Sequence, residues 1–245
     1  MDEAQDIDRL LRNWPMEPGK VLARVIETTD GRQVVQMRVE MGVLQMETSG
    51  RPDGERPGGA ETYFEHLRDY AKTAGDDFVL TEEQCEEADR EFVQYYHRRI
   101  CWLAMRQFDR AAQDALHTLR FMDFVRDYSP DEQWTITHEQ YRPFVMFHHI
   151  QASSLAALSG SDPETAIEEA NRGISQFESL LEGSEIPTDE HELVKRLVDL
   201  REWIREKYDV GLTLVEQLTD AIASEKYELA ASLRDQIARR EDGGM

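Results

Sequence analysis

Apolar residues at the C-terminus recur at the spacing of a helix face, twice in succession. The first stripe follows the i, i+4, i+7, i+8 pattern of an α-helix: Leu214, Leu218, Ala221 and Ile222. A second stripe at i, i+3, i+7 consists of Ala230, Leu233 and Ile237. Residues 224–226 between the stripes have about the length of a helix–helix turn. The pattern therefore predicts two short helices folded into a hairpin.

Near the N-terminus, apolar and polar residues alternate as they do in a β-strand with one buried face. Two such runs, 21–27 and 32–41, flank Asp30 and Gly31, and Asp-Gly between apolar runs favours a β-hairpin. After Gly42 the apolar residues move from odd-numbered to even-numbered positions. This parity switch indicates a bulge or tight bend, and either a third strand or a redirected second one. In the second run, Val35, Met37, Val39 and Met41 are predicted to share one face of the strand.

Glycine and proline punctuate both ends of this N-terminal element. A short helix over residues 6–14 is ended by Pro15 and the turn at Pro18. The stretch 49–59 is rich in Gly and Pro, so it predicts a surface loop and a domain boundary.

From Glu61 onward the apolar spacing is helical. Residues 81–84 carry a capping-box pattern, Thr-Glu-Glu-Gln, and residues 137–140 repeat it as Thr-His-Glu-Gln. Each cap is predicted to open a helix that is followed by a partner helix, starting near Phe108 and Pro163. Pro143 lies close behind the second cap, so that helix either kinks or starts later. Two stacked helix-turn-helix units, a short solenoid, are the predicted result.

The small residues after the two turns resemble those of tetratricopeptide repeats. The residues that carry this resemblance are Leu103, Phe108, Ala111 and Ala112 in one unit, and Leu155, Asp162, Ala166 and Ile167 in the other. The period is longer than that of the family, and its Trp and Gly positions are not matched, so the resemblance implies architecture only. A fifth helix is predicted after Pro187, with a stripe of Leu193, Leu197, Leu200 and Ile204.

The two cysteines, Cys85 and Cys101, both fall within the first of these helices. At the rise of an α-helix they are roughly 24 Å apart, far beyond the reach of a disulfide. We expect two free, partly buried thiols, which fits a reducing compartment.

The net charge of -22, from 50 acidic against 28 basic side chains, argues against general nucleic-acid binding because such a surface repels phosphate backbones. Residues 20–60 hold six basic and six acidic side chains, so this stretch is not positive either. A mean hydropathy of -0.63 leaves no room for a membrane span. The first residues are acidic and polar, without a secretory or basic targeting pattern, so we expect a cytoplasmic protein.

The C-terminal hairpin resembles the UVR motif, the helical hairpin shared by the bacterial excision-repair proteins UvrB and UvrC. An aromatic-Glu-x-Ala-Ala-x-Leu-Arg-Asp run from Tyr227 to Asp235 carries the resemblance. It implies a module that binds a protein partner, and because the motif also occurs in regulatory proteins outside DNA repair, it assigns no pathway. A hairpin of this size cannot bury a self-sufficient core, so it must pack on the rest of the chain or on another hairpin.

Motifs for catalysis are weak or broken. Phosphate-binding loops, dinucleotide-binding glycine patterns and the nucleophile elbow of hydrolases do not occur in the sequence. His138 and Glu139 begin a zinc-protease pattern that Arg142 breaks, and His148 and His149 point about 100° apart on a helix. We therefore predict no catalytic residue, no cofactor and no metal ion, and we do not expect an enzyme.

The predicted fold class is mainly α, with a small N-terminal β-hairpin element, a tetratricopeptide-like helical-repeat middle and a UVR-type C-terminal hairpin. The corresponding domains are residues 1–59, 60–210 and 211–245.

The predicted function is a non-catalytic adaptor or regulatory subunit that binds a protein partner, or a second copy of itself, through residues 211–240. Tyr227 is the expected apolar anchor, and Arg234 and Asp235 would set the register by charge pairing. The full predicted site is Tyr227, Glu228, Leu233, Arg234 and Asp235, although Leu233 could serve only to close the hairpin. The alternatives are an accessory factor of nucleotide excision repair or stress response, touching DNA through Arg24, Arg32 and Arg38, and an enzyme of unknown class.

Overall fold

The computed structural model describes residues 6–75, 77–181 and 188–243, and it confirms a mainly α fold. The chain divides into two compact units, residues 1–152 (unit 1) and 153–245 (unit 2). The elements of the first part of the chain are α1 Asp8–Asn13, β1 Leu22–Glu27, β2 Gln33–Val39, β3 Gly42–Glu47, a 3-10 turn Pro57–Gly59, α2 Tyr63–Ala74, α3 Glu82–Ala104, α4 Phe108–Asp127, α5 Glu132–Glu139 and α6 Arg142–Ser159. They are followed by α7 Pro163–Leu181, α8 Thr188–Tyr208, α9 Leu214–Ala223 and α10 Tyr227–Gly243.

The division between the units falls inside α6, between Ala152 and Ser153. The domain boundaries predicted after residues 59 and 210 stay predictions.

The N-terminal strands form an antiparallel sheet in the order β1-β2-β3, which confirms the third-strand alternative. A two-residue turn at Glu40 and Met41 produces the parity switch seen in the sequence. Val35 is paired with Met46 across the strands, and both are buried against α3. The prediction was wrong for Met41, which lies in the turn and is 88% exposed.

The stretch 49–59 is not simply a surface loop, because Arg51 and Pro52 are buried. The guanidinium of Arg51 forms an ion pair with Glu87 of α3 at 2.9 Å. The surface-loop prediction was therefore wrong at these two residues. Loop residues can be buried when their charged groups find partners in a neighbouring element.

A buried charged network joins this loop to the helices of unit 1. The carboxylate of Asp114 accepts two hydrogen bonds from Arg98, at 2.9 and 2.8 Å. Arg98 also donates to the carbonyl oxygen of Gly50 at 2.8 Å. On α3, the fully buried Glu91 accepts from the backbone N–H groups of Tyr63 and Phe64, so it satisfies free donors at the start of α2.

Helix α3 begins as predicted, with the capping box of Thr81 and Gln84 in place. Cys85 and Cys101 both lie on it as buried free thiols, which confirms their predicted placement. Burial raises the pKa of Cys85 to about 11 and that of Cys101 to about 12. Both thiols therefore stay protonated and poorly nucleophilic at neutral pH.

The second predicted capping box does not exist. Thr137 lies inside α5, where its hydroxyl donates to the carbonyl oxygen of Trp134 at 2.6 Å. Asp131 caps that short helix instead. A separate helix, α6, begins at Arg142, so Pro143 lies in its first turn. Proline is tolerated there because a backbone N–H at that position would have no acceptor within the helix. The later start, one of the two predicted alternatives, is confirmed.

The same three-residue turn joins three helix pairs: α3 to α4, α6 to α7, and α9 to α10. Its middle residue has a positive φ each time, with values of 58° at Arg106, 68° at Ser161 and 57° at Glu225. The residue after it donates its backbone N–H to the carbonyl oxygen of the residue five positions earlier, as in a Schellman motif. The predicted starts of α4 at Phe108 and α7 at Pro163 are confirmed, and the tetratricopeptide-like stacking of the pairs stays a prediction.

The core of unit 2 lies between α7 and α8. Leu197 and Ile204 of the predicted α8 stripe are fully buried, and Ile204 packs with Ala166 and Ile167 of α7. The predicted start of α8 at Pro187 lies outside the described residues. Across residues 6–75, 77–181 and 188–243, no helix combines the length and apolar character needed to cross a membrane.

Candidate functional site

The C-terminal hairpin is built as its sequence pattern predicts. Thr213 caps α9, with its hydroxyl accepting from the N–H of Glu216 and its own N–H donating to the Glu216 carboxylate. The turn at residues 224–226 then reverses the chain, and the N–H of Lys226 donates to the carbonyl oxygen of Ala221 at 2.8 Å. This local geometry holds α10 against α9.

Small and branched apolar side chains close the space between the two helices. Ala221, Ala230 and Leu233 are buried there, and Leu214 and Leu218 pack against them. The alanines let the backbones approach closely, and Leu233 fills what remains. The predicted inner stripes are thus confirmed at these positions, but Ile222 was misplaced, because its side chain is 55% exposed.

Hydrogen bonds attach the start of α9 to the rest of unit 2. The carboxylate of Glu216 accepts from Asn171 of α7 at 3.0 Å and from Arg205 of α8 at 2.7 Å. Arg201 of α8 donates to the side-chain oxygen of Asn171 at 2.9 Å, which fixes the amide. The hairpin is therefore docked through its capped end.

The ionisation of Glu216 depends on this docking. Burial alone raises the pKa of a carboxyl group, but the hydrogen bonds from the Thr213 N–H and from Asn171, together with the charge of Arg205, outweigh it. The result is a lowered pKa for Glu216. The folded hairpin thus favours the carboxylate form.

The hairpin also exposes apolar surface. Tyr227, the first residue of α10, is 69% exposed at the tip. Among the described residues, the other large apolar side chains of the two helices that are exposed are Val215 in the first turn of α9, Ile222 in its last turn and Leu229 in the first turn of α10. We call these four residues the apolar edge. Because the hairpin core is already closed, these side chains take no part in it.

The structure separates the predicted site residues into two groups. Tyr227, Glu228, Arg234 and Asp235 are exposed, and the last two lie within 3.8 Å of each other. Leu233 is 4% exposed and packs inside the hairpin, which is the structural role that the sequence left open. Sequence periodicity missed Val215 and Leu229, since neither belongs to a stripe, and only the packing shows that they remain uncovered.

The arginines of the alternative DNA site are engaged within the sheet region. Arg38 is buried and donates to the backbone carbonyl oxygens of Trp14 and Gly42. Arg24 donates to the side chain of Gln36 and lies over the Trp14 ring. Arg32 pairs with Asp30 and Glu47. These contacts occupy donors of all three guanidinium groups within the sheet region.

No group of three or more His, Cys, Asp and Glu side chains suited to a metal ion occurs among the residues that the structure describes. His148 and His149 lie on α6, and His149 contacts the carbonyl oxygen of Ala112 at 3.2 Å.

A docked, capped helical hairpin with an exposed apolar tip has the form of an interaction motif. The sequence model of a known family, the UvrB/uvrC motif, matches residues 213–241. The chain is a UVR-motif protein, and the motif is the hairpin of α9 and α10. UVR motifs occur in the DNA-repair proteins UvrB and UvrC and mediate protein interactions in general. Comparison of the chain with curated proteins and with solved structures finds no match.

Proposed function

We propose that the protein is a non-catalytic adaptor or regulatory subunit that binds through the apolar edge of its UVR hairpin. The observation that carries the proposal is the exposure of Val215, Ile222, Tyr227 and Leu229 on a hairpin whose own core is already filled. Large apolar side chains that stay exposed beside charged ones are typical of interaction surfaces. Glu228, Arg234 and Asp235 are the exposed charged residues of the predicted site on α10.

The partner that fits best is another hairpin of the same kind, in a second copy of this chain or in a different protein. Two hairpins that place their apolar edges together form a four-helix bundle, which covers both edges at once. The carboxylate of Glu216, at the docked end of α9, takes no part in this contact, because it is held by Asn171 and Arg205. The free tip around Tyr227 is therefore the centre of the proposed interface.

The Tyr227→Ala substitution tests this function. An aromatic anchor at the centre of an interface contributes about 1–3 kcal/mol, so association should weaken by about 5-fold to 150-fold. The melting temperature should stay unchanged, because Tyr227 is outside the hairpin core. Sedimentation equilibrium measures self-association, and a pull-down with and without residues 211–245 measures capture of a partner.

The matched control is Tyr70→Ala, which removes an exposed tyrosine from α2 in unit 1. It should leave association unchanged. A lower melting temperature with unaltered association in Tyr227→Ala would mean that the tyrosine only covers the hairpin. The proposed function is excluded if the chain without residues 211–245 captures the same partners as the full chain and the full chain is also monomeric.

The alternative, an accessory factor of nucleotide excision repair or stress response, is favoured by one observation, the motif shared with UvrB and UvrC. Direct DNA contact does not follow from it, given a net charge of -22 and internally paired arginines. Fluorescence anisotropy with a labelled duplex near physiological salt should show no tight binding. A salt-dependent dissociation constant below about 1 μM would place this alternative first.

The proposal also places the protein in a reducing compartment, the cytoplasm. Two cysteines that are both free support it, because proteins of oxidising compartments more often pair their cysteines in disulfides.

A further inference from the structure

Unit 1 contains a cavity of about 630 Å³ that the hairpin function does not use. Residues of α3, α4, α5 and α6 line it, together with Tyr141 between the last two helices. Pockets for small molecules typically span about 300–1,000 Å³. The cavity therefore has the size of a ligand site.

The walls of the cavity are largely aromatic and aliphatic. Phe92 and Met122 contribute apolar surface from α3 and α4. Several large apolar side chains of the lining are also open to solvent: Val93, Tyr96, Tyr141 and Phe144. An apolar ligand body would cover surface that is otherwise exposed to water.

One cation lies in this apolar lining. Arg99 of α3 is 2% exposed, and its guanidinium makes a single side-chain hydrogen bond in the described part of the chain, to the hydroxyl of Thr118 at 3.1 Å. Its Nε is buried without a hydrogen-bond partner. The Tyr96 ring lies 5.9 Å from the guanidinium carbon, which stabilises the charge only in part. Burial lowers the pKa of Arg99 to about 10, so the group is still protonated at neutral pH.

The neighbouring carboxylates are already committed to other donors. Asp114 is held by two hydrogen bonds from Arg98. Asp89, which also lines the cavity, accepts from the indole N–H of Trp134 at 3.2 Å and contacts Nε2 of His138 at 2.7 Å. No carboxylate of the described residues forms an ion pair with Arg99. Asp114 attracts the Arg99 charge from beyond ion-pair distance, and an anion in contact with the guanidinium would stabilise this buried cation further.

We propose that this cavity binds a small aromatic carboxylate, with its carboxylate on Arg99 and its ring against the aromatic lining. The Arg99 guanidinium provides the polar end of the site. The Thr118 hydroxyl holds it in place by accepting from one of its N–H groups, while donating its own proton to the carbonyl oxygen of Asp114. Tyr96 and Phe144 provide the apolar end. Arginine suits this role because its planar fork matches a carboxylate and also stacks on aromatic rings.

Isothermal titration calorimetry of the full chain with 2-naphthoate tests the proposal, with the neutral 2-naphthamide as the matched ligand. We expect saturable binding of the carboxylate at one site and binding of the amide that is weaker by about tenfold or more. Arg99→Met removes the charge and keeps most of the side-chain volume. In this variant the carboxylate should lose about tenfold or more in affinity, and the preference for it over the amide should disappear.

A second variant guards against a folding defect in Arg99→Met. Val93→Trp fills the exposed side of the lining without touching the arginine, and it should weaken both ligands about equally. Tyr227→Ala should bind naphthoate like the unaltered protein, so failure of the hairpin function and failure of this site are distinguishable. The proposal is overturned if naphthoate shows no saturable binding up to about 1 mM, if the amide binds as tightly, or if Val93→Trp leaves both affinities unchanged.

Discussion

Unit 1 and the C-terminal hairpin bury different kinds of side chain. In unit 1, charged groups from distant parts of the chain meet in the interior, including Arg51, Glu91, Arg98 and Asp114. The hairpin buries only Ala221, Ala230 and Leu233 among its described helical residues. Unit 1 thus combines an apolar core with specific pairs between distant parts of the chain, whereas the hairpin is held by local packing.

The largest effect should come from breaking the buried pair of unit 1. Asp114→Ala leaves Arg98 buried without its carboxylate, which should lower the free energy of unfolding by about 3–5 kcal/mol. Urea denaturation measures the loss, and hydrogen exchange should locate it in α3 and α4. The control, Asp69→Ala, removes an exposed partner of Lys72 and should leave stability unchanged. A loss below about 1 kcal/mol would mean that this pair behaves like a surface ion pair.

The hairpin should respond next to a change in its core. Leu233→Ala removes the largest side chain that is buried between α9 and α10, at a cost of about 2–5 kcal/mol. Because the hairpin has so little other core, its amides should exchange rapidly with solvent while those of unit 1 stay protected.

Leu229→Ala is the matched control on the same helix, since Leu229 is exposed. It should leave hydrogen exchange unchanged and weaken association instead, in the manner of Tyr227→Ala. Rapid exchange in both variants, or in neither, would show that the core and the apolar edge are not separate surfaces.

The smallest effect concerns the docked end of the hairpin. The pKa of Glu216 is lowered in the folded state, so its contribution to stability is complete above the ordinary pKa of 4.5 and is lost as the pH falls through the folded value. Protonation should weaken the capping box and the contacts to Asn171 and Arg205, by up to about 1 kcal/mol, because this ion pair is partly exposed to solvent.

Hydrogen exchange of α9 at pH 7 and across the acid range measures this loss after correction for intrinsic rates. Glu216→Gln should show weaker protection at pH 7 and little further change on acidification. Equal protection of α9 from hydrogen exchange in Glu216→Gln and in the unaltered protein at every pH would contradict the role of this carboxylate.

Elements whose side chains interact within a short stretch could be predicted from the amino-acid order. The hairpin stripes, the turn at residues 224–226, the capping box at Thr81 and the strands around Asp30 all follow from local periodicity and local hydrogen bonding. The family resemblance of the hairpin rests on the same local pattern, and the match to residues 213–241 confirms it. The false cap at Thr137 shows the limit of this reasoning, because Asp131 offers a competing cap a few residues earlier.

Which side chains stay exposed and which charges are buried became visible in the folded chain alone. Ile222 fits an inner stripe by spacing, yet the small Ala221 and Ala230 bring the helices together at a rotation that leaves it outside. Arg51 and Arg99 look like solvated surface residues in the sequence, yet both are buried. Arg51 pairs with an acidic residue far along the chain, whereas the Nε of Arg99 has no hydrogen-bond partner. Periodicity reports the neighbours of a residue along its own helix, whereas burial is set by elements that the chain brings together only on folding.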